Sequence, residues 1–331
     1  MAALDGQRVL VVGRDYFFYT RSIVQELQDS HGARVTYLPI TPEHAVYSAF
    51  KRIPGAAQWW LNRHHRQCIR RLQGERFDTV LFIQVHQLTH ELVELYRQVF
   101  ASARFVLYYW DSLRTHDYRP YLKYFDEAWS FDREDVRREP RLSFLPLFYC
   151  ERFGALRART DFKHDLVFIG TALNLQRYER VKQFRAWARG AGVNFVDYLY
   201  VSPMFYLRQL LRGRRLRGVH FRTLSAEGLI DLYGASRAVL DLPGNEQTGF
   251  TMRTFESLGA GRKLVTTQRE LVNEPFFDPH EVFVLGLHGD FPPLSFLRGP
   301  AHPAAAIQAY SLRQWLLRLL GSTAGAAHAT P

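Results

Sequence analysis

At 331 residues and 47% hydrophobic content the chain can bury sizeable cores, and length alone favours about two domains over a disordered chain. Its 43 Lys and Arg against 32 Asp and Glu give a net charge of +11, which points to anionic partners: nucleotide diphosphates, nucleic acid or an acidic membrane surface. The two cysteines, Cys68 and Cys150, form no metal-spaced cluster and suit a reducing compartment.

The first residues lack the basic-then-apolar order of a signal peptide, and no run approaches the ~18 apolar residues of a membrane span. A cytoplasmic protein with at most peripheral contact at the inner membrane face is expected. Arg8 to Gly13 reads as a buried strand ending in glycine, and the helical pattern after it runs through Ile23 and Leu27. No Gly-x-Gly-x-x-Gly follows that strand, so a dinucleotide fingerprint is missing. Further strands are predicted at Val35 to Pro39, Thr79 to Gln84, Phe105 to Tyr109 and Ala128 to Phe131, with helical stretches between them, notably Thr89 to Phe100.

Between the second and third strands a helix is predicted to begin at Pro54. Its spacing puts Ala57, Trp60, Leu61, His64, Cys68 and Leu72 on a buried side. Trp59, Arg63, Arg66 and Arg70 fall in a stripe nearly opposite, a candidate contact with an anionic membrane.

Leu142 to Phe148 closes the first half, and the charged segment 151–164 is the linker candidate. The alternation restarts with Leu166 to Gly170, a helix over Leu175 to Arg189, and Phe195 to Tyr200. Strands at Val219 to Arg222, Ala238 to Leu242 and Lys263 to Thr266 follow. An amphipathic helix spans Tyr310 to Leu320, and the small-residue tail 323–331 has no periodic pattern. The reading is therefore α/β, with Rossmann-like domains at 1–150 and 165–322.

Asp241 to Thr267 organises the second half. A strand end, a glycine-bearing loop, a helix beginning near Thr251 and a following strand together make an anion site. Unpaired amides and the positive end of the helix dipole point the same way, and Arg253 lies just inside. Gly249 is expected to let the backbone approach a ligand. Met252, Phe255 and Leu258 are expected to face the core, leaving Arg253 and Glu256 on a face free for chemistry.

The run Gln247-Thr-Gly249-Phe-Thr251-Met-Arg253-Thr-Phe-Glu256 resembles the donor-site signature of GT-B glycosyltransferases, specifically those of bacterial capsule and lipopolysaccharide biosynthesis. The resemblance extends to Lys263 to Thr267, to Tyr310 to Trp315 and, more weakly, to Tyr109 to Ser112 and Phe168 to Thr171. It implies two domains facing a cleft and a terminal helix that crosses back to the first. It also implies transfer of a hexosyl or related group from a nucleotide sugar to a polysaccharide, lipopolysaccharide or lipid-linked acceptor, with no cofactor and no metal. By the same resemblance Glu256 contacts the donor ribose, and Gly170, Thr171 and Arg177 belong to the loop that approaches the donor phosphates. The paired glutamates of the retaining enzymes are missing, since Thr248 stands where the first would be, with Glu246 and Gln247 as the nearest substitutes. The stereochemical outcome stays open.

Ligands in open α/β sheets bind beyond the carboxyl ends of the strands. That rule selects Gly13, Arg14, Asp15, Gln84, His86, Asp111, Ser112, Asp132, Gly170, Thr171, Asp241, Gln247 and Gly249. Asp111, beside aromatic residues, is the candidate general base and His86 the alternative. Asp132-Arg-Glu-Asp135 has the wrong spacing for a metal-binding Asp-x-Asp and starts a helix, where acidic residues suit the dipole. No nucleophile elbow, His-Glu-x-x-His or P-loop occurs. Two other readings are a nucleotide-sugar epimerase on the same fold and a basic nucleic-acid-binding protein. The second rests on Arg208 to Arg217, in which no nucleic-acid-binding module is recognised, and nucleic acid is not the expected partner.

Overall fold

The structure is a computed structural model that describes residues 4–14, 16–41, 53, 55–244, 248–302 and 304–321. Asp15, Pro54, Glu246, Gln247 and the tail 323–331 lie outside the described residues. The chain forms two compact units. Unit 1 comprises residues 1–147, 245–250 and 312–331, and unit 2 comprises residues 148–244 and 251–311.

Unit 1 is built on strands β1 (Arg8–Gly13), β2 (Arg34–Pro39), β3 (Thr79–Ile83), β4 (Arg104–Tyr109), β5 (Glu127–Ser130) and β6 (Leu142–Phe144). They form one sheet in the order β2-β1-β3-β4-β5-β6, every adjacent pair parallel. Helices α1 (Tyr19–Asp29), α2 (Ala56–Leu72), α3 (His90–Val99) and α4 (Arg133–Arg138) connect them. The central strands read as near-continuous apolar runs because helices cover both faces, and Leu10, Val12, Val80, Phe82, Phe105 and Leu107 are buried in one cluster.

Unit 2 repeats the plan with α5 (Glu151–Gly154), β7 (His164–Thr171), α6 (Leu175–Ala191), β8 (Phe195–Tyr200), α7 (Pro203–Leu211) and α8 (Ala226–Gly234). It continues with β9 (Ser236–Asp241), α9 (Met252–Gly259), β10 (Lys263–Thr266), β11 (Val282–Val284) and α10 (Leu294–Arg298). The parallel sheet runs β11-β10-β9-β7-β8 over a core that includes Leu166, Phe168, Leu240 and Val265. Residues expected as a linker form α5 and a 3-10 turn over Ala155–Ala158, with Phe153 and Leu156 buried.

The terminal helix α11 (Leu312–Leu320) belongs to unit 1, where its buried Trp315 sits 4.7 Å from the Tyr108 ring and Arg104 donates to the Leu320 carbonyl at 3.0 Å. Three local expectations need correction. Val219 to Arg222 is not a strand: it contributes one bridge, Tyr200 to His220, and the His220 ring stacks on Tyr198 at 3.9 Å. The buried line of α2 is Leu61, His65 and Ile69, while Trp60 and His64 are only half buried and stack on each other at 5.4 Å. His65 can lie inside because Tyr96 Oη and the Ile40 carbonyl each meet a ring nitrogen at 2.8 Å. In α9 every residue from Thr254 to Gly259 is buried and Met252 is only half buried, so the helix has no free polar face at Glu256.

Candidate functional site

In unit 2 the sheet order reverses between β7 and β9, because β8 lies to one side of β7 and β10 and β11 lie beyond β9. Carboxyl ends at such a reversal leave a crevice for ligands. Asp241 closes β9 and is fully buried. Its Oδ2 accepts the Thr251 hydroxyl at 2.8 Å and its Oδ1 accepts Arg253 Nη1 at 2.9 Å. Thr251 occupies the N-cap position of α9, yet its hydroxyl serves Asp241 and leaves the first amides of the helix without a side-chain cap.

Burial works against the Arg253 charge, but Asp241, Tyr233 and Glu256 outweigh it and raise its pKa. Some 26% of the Arg253 side chain stays exposed.

Arg177 comes from the first turn of α6, whose N-cap Asn174 accepts the Arg177 amide at 2.9 Å. Its guanidinium donates to the Thr171 carbonyl at 3.0 Å. Burial and then the charge of Arg253 lower the Arg177 pKa, while Asp241 raises it. Arg253 thus pairs with Asp241, and Arg177, bonded to the Thr171 carbonyl, lies close enough to feel both charges beside a helix start without a side-chain cap. Thr171 is half buried at the end of β7, and Gly170 packs against Phe168, whose ring would lie 2.9 Å from an added Cβ. Glu256 stands one turn along α9 and is 3% exposed, with Tyr233 Oη donating to it at 3.4 Å.

Gly249 lies elsewhere, in unit 1. An added Cβ would meet the Phe131 ring at 2.5 Å and the Phe131 carbonyl at 2.8 Å, so what Gly249 admits is Phe131 rather than open space for a ligand. Its amide and that of Thr248 donate to Asp132 Oδ2 at 3.3 and 3.2 Å, and the Thr248 hydroxyl donates to Oδ1. Asp132 also caps α4 through the Glu134 amide at 2.9 Å, as its helix-starting position predicted.

The other strand-end group belongs to unit 1. Gln84 follows β3 with φ at 67°, a left-handed value uncommon for a side-chain-bearing residue and often found at functional sites. That twist is accompanied by a bond from Nε2 to Asp111 Oδ2 at 2.6 Å. His86 is exposed, and its ring lies 4.8 Å from that of His116, which is bonded through Nδ1 to the Tyr109 hydroxyl. Burial and then His86 lower the His116 pKa, while Asp111 and Asp117 raise it. Asp111 and His86 thus share one cluster with His116, to which the sequence alone assigns no role, and with Tyr109, which the sequence marks only as the start of a weak resemblance. Gln84 was selected there only as a strand-end residue. Ser112 is buried and turned toward Thr115.

The paired parallel sheets are those of a GT-B glycosyltransferase fold. Among solved structures the chain resembles AviGT4, a glycosyltransferase involved in avilamycin A biosynthesis, with a TM-score of 0.54 and 16% identity over 95% of this chain and 93% of that one. It also resembles the lipopolysaccharide outer core galactosyltransferase WaaB, with a TM-score of 0.51 and 12% identity over 93% of this chain and 97% of that one. For the trehalose 6-phosphate synthase of Burkholderia multivorans the values are 0.54 and 13%, over 94% of each chain. No protein-family model and no curated sequence matches the chain. At these identities the likeness is one of fold.

Proposed function

We propose that the protein is a glycosyltransferase that moves a sugar from a nucleotide-sugar donor to a surface polysaccharide, lipopolysaccharide or lipid-linked acceptor. The observation that carries this reading is the placement of two arginines, Arg253 paired with the buried Asp241 and Arg177 bonded to the Thr171 carbonyl, at the chain reversal of unit 2. A departing diphosphate gains negative charge there, and fixed guanidiniums stabilise it without reorganising. Glu256, buried and taking the Tyr233 hydroxyl, is assigned the holding of the Arg253 charge rather than the direct ribose contact that the motif implies.

In the reaction the acceptor oxygen bonds to the anomeric carbon. The bond from that carbon to the distal phosphate oxygen breaks, and the nucleoside diphosphate leaves with the electron pair. An inverting reaction passes the acceptor proton to Asp111, which Gln84 orients, with His86 as the alternative base. Two arginines supply the charge that a divalent cation would otherwise bring, so the reaction is assigned no metal, and chelation is expected to leave turnover unchanged.

A lipid-linked acceptor would bring the protein to an anionic membrane, and Trp59, Arg63, Arg66 and Arg70 form an exposed stripe suited to it. Helix α7 offers a second surface, with Met204, Leu207 and Leu211 exposed beside Arg208 and Arg212. No helix among the described residues is long and apolar enough to cross a membrane.

The test is a thermal-shift and calorimetric screen of nucleoside diphosphates, followed by product analysis with donor alone and with donor plus acceptor. Arg177→Ala is expected to weaken nucleotide binding about 10- to 100-fold, the loss of one charge-assisted contact. Unchanged nucleotide affinity overturns the donor site, and an epimerised sugar from donor alone would establish the epimerase reading instead.

A further inference from the structure

A cavity of about 260 Å3 opens in unit 2 at the amino end of its sheet, opposite the strand ends that carry Thr171 and Asp241. Arg237 lies near the start of β9, about 13 Å from Asp241 at the usual rise per strand residue, and Lys263 is the first residue of β10. Arg157, Arg159 and Arg262 complete a wall of five cations around Phe162, and among the described residues no acidic side chain lines it.

The charges are held in place by neutral groups. Arg262 is 2% exposed and donates to the carbonyls of Tyr233, Leu156, Arg159 and Gly234. Arg157 donates to the Gly259 carbonyl at 2.7 Å and to the Tyr149 hydroxyl, and Lys263 donates to the His280 carbonyl at 2.9 Å. The Arg237 guanidinium, 4.8 Å from the Phe162 ring centre, makes no hydrogen bond or ion pair among the described residues. Among the described residues the one carboxylate within ion-pair distance of these five side chains is Asp161, which meets Arg159 at 3.4 Å and is itself exposed, while Glu281 and Asp278 act on Lys263, and Asp165 on Arg237, from further away. Burial and then the neighbouring Arg159 depress the Arg262 pKa to about 10, with Asp161 only partly opposing them.

Concentrating like charge around a recess raises the potential inside it and makes an anion the natural complement. The volume lies below the range typical of sites for drug-sized ligands, which favours a compact anion over a whole nucleotide sugar. We propose that this cavity is a second anion site, separate from the donor site, that takes a compact phosphate ester or pyrophosphate.

Pyrophosphate and orthophosphate titrated calorimetrically into the full chain test it. Two variants remove the site differently: Arg159→Gln with Arg237→Gln deletes two charges that are not deeply buried, and Ala301→Glu places a carboxylate at the exposed cavity rim without deleting any contact. The expected result is one pyrophosphate-binding component that weakens about tenfold or more in each folded variant. Arg177→Ala is expected to leave that component unchanged, so failure of the donor site and failure of this one are read separately. Identical isotherms for the parent and both variants overturn the proposal and leave a cation cluster that only joins backbone carbonyls. Co-sedimentation with phosphatidylglycerol vesicles distinguishes a lipid phosphate. If the variants lose vesicle binding while the parent takes up no soluble phosphate, the soluble-anion site is overturned.

Discussion

The two units share a parallel sheet with a chain reversal but place opposite chemistry at the strand ends. In unit 2 the strand ends beside the reversal between β7 and β9 carry Arg253, paired with Asp241, and Arg177, bonded to the Thr171 carbonyl. In unit 1 the strands on one side of the reversal between β1 and β3 end in Gln84, Asp111, His86 and His116, groups able to take up or pass a proton. One set of strand ends carries arginines, the other a carboxylate, an amide and two imidazoles. A common fold therefore carries different side chains at its strand ends, and the proposed division between leaving-group stabilisation and proton transfer rests on those loop residues, not on the strands themselves.

The largest test of this contrast is Arg253→Ala. Removing the guanidinium leaves Asp241 buried with only the Thr251 hydroxyl, so unit 2 is expected to lose about 3 kcal/mol of stability as well as nucleotide affinity, read by urea unfolding with and without nucleotide. A stable variant with unchanged nucleotide binding would break the assignment. Asp111→Asn addresses the other side. Turnover is expected to fall about 100-fold or more with nucleotide affinity retained, and a loss of only a few-fold would pass the role to His86 or to a mechanism without such a base.

The acid response sharpens the picture of unit 1. His65 is held down to about 4 by burial, below its ordinary 6.5, so its contribution to stability is present above pH 6.5 and lost as pH falls toward 4. Asp135 is pushed up to about 6 by burial, above its ordinary 3.8, so its contribution is present below 3.8 and lost as pH rises through 6. The two oppose each other across the same window. Asp135→Asn leaves the histidine unopposed and is expected to steepen the loss between pH 6.5 and 4 by about 1–3 kcal/mol in urea titrations. An unchanged slope would remove Asp135 from the balance.

Gly249→Ala is the smallest. Its methyl group would press on the Phe131 ring and carbonyl, with an expected cost of about 1–3 kcal/mol in thermal unfolding and no direct effect on the nucleotide. Intact stability with lost nucleotide binding would return Gly249 to the donor site.

The fold was legible because fully buried strands read as apolar runs and the helices between them keep their own period. Most boundaries therefore lie within two residues of the predicted ones, as at β1 and β8. What escaped depended on partners far apart in sequence or on unusual backbone. Nothing local marks His65 as a buried, satisfied residue, and Val282–Val284 is too short to stand out as a strand. Arg253 was visible from its motif, yet Asp241, which ties it to Thr251, is an unremarkable strand-end carboxylate until the loop folds back. Gln84 shows no sequence sign of its left-handed backbone, and His116 gains meaning only when the chain returns it to His86 and Tyr109.

The assignment of residues 245–250 and 312–320 to unit 1 sets an order of assembly during synthesis. Unit 2 has all of its chain once Ser311 has left the ribosome, whereas unit 1, although it begins first, still lacks the helix that brings Trp315 to Tyr108. A chain truncated after Ser311 is therefore expected to hold a finished second unit and a first unit whose surface at Tyr108 is bare. Hydrogen exchange on that truncated chain would show rapid exchange confined to unit 1. The unit that comes first in the sequence is the last to close, so the apolar ground beneath Leu312, Leu316 and Leu319 is where a chaperone has longest to act.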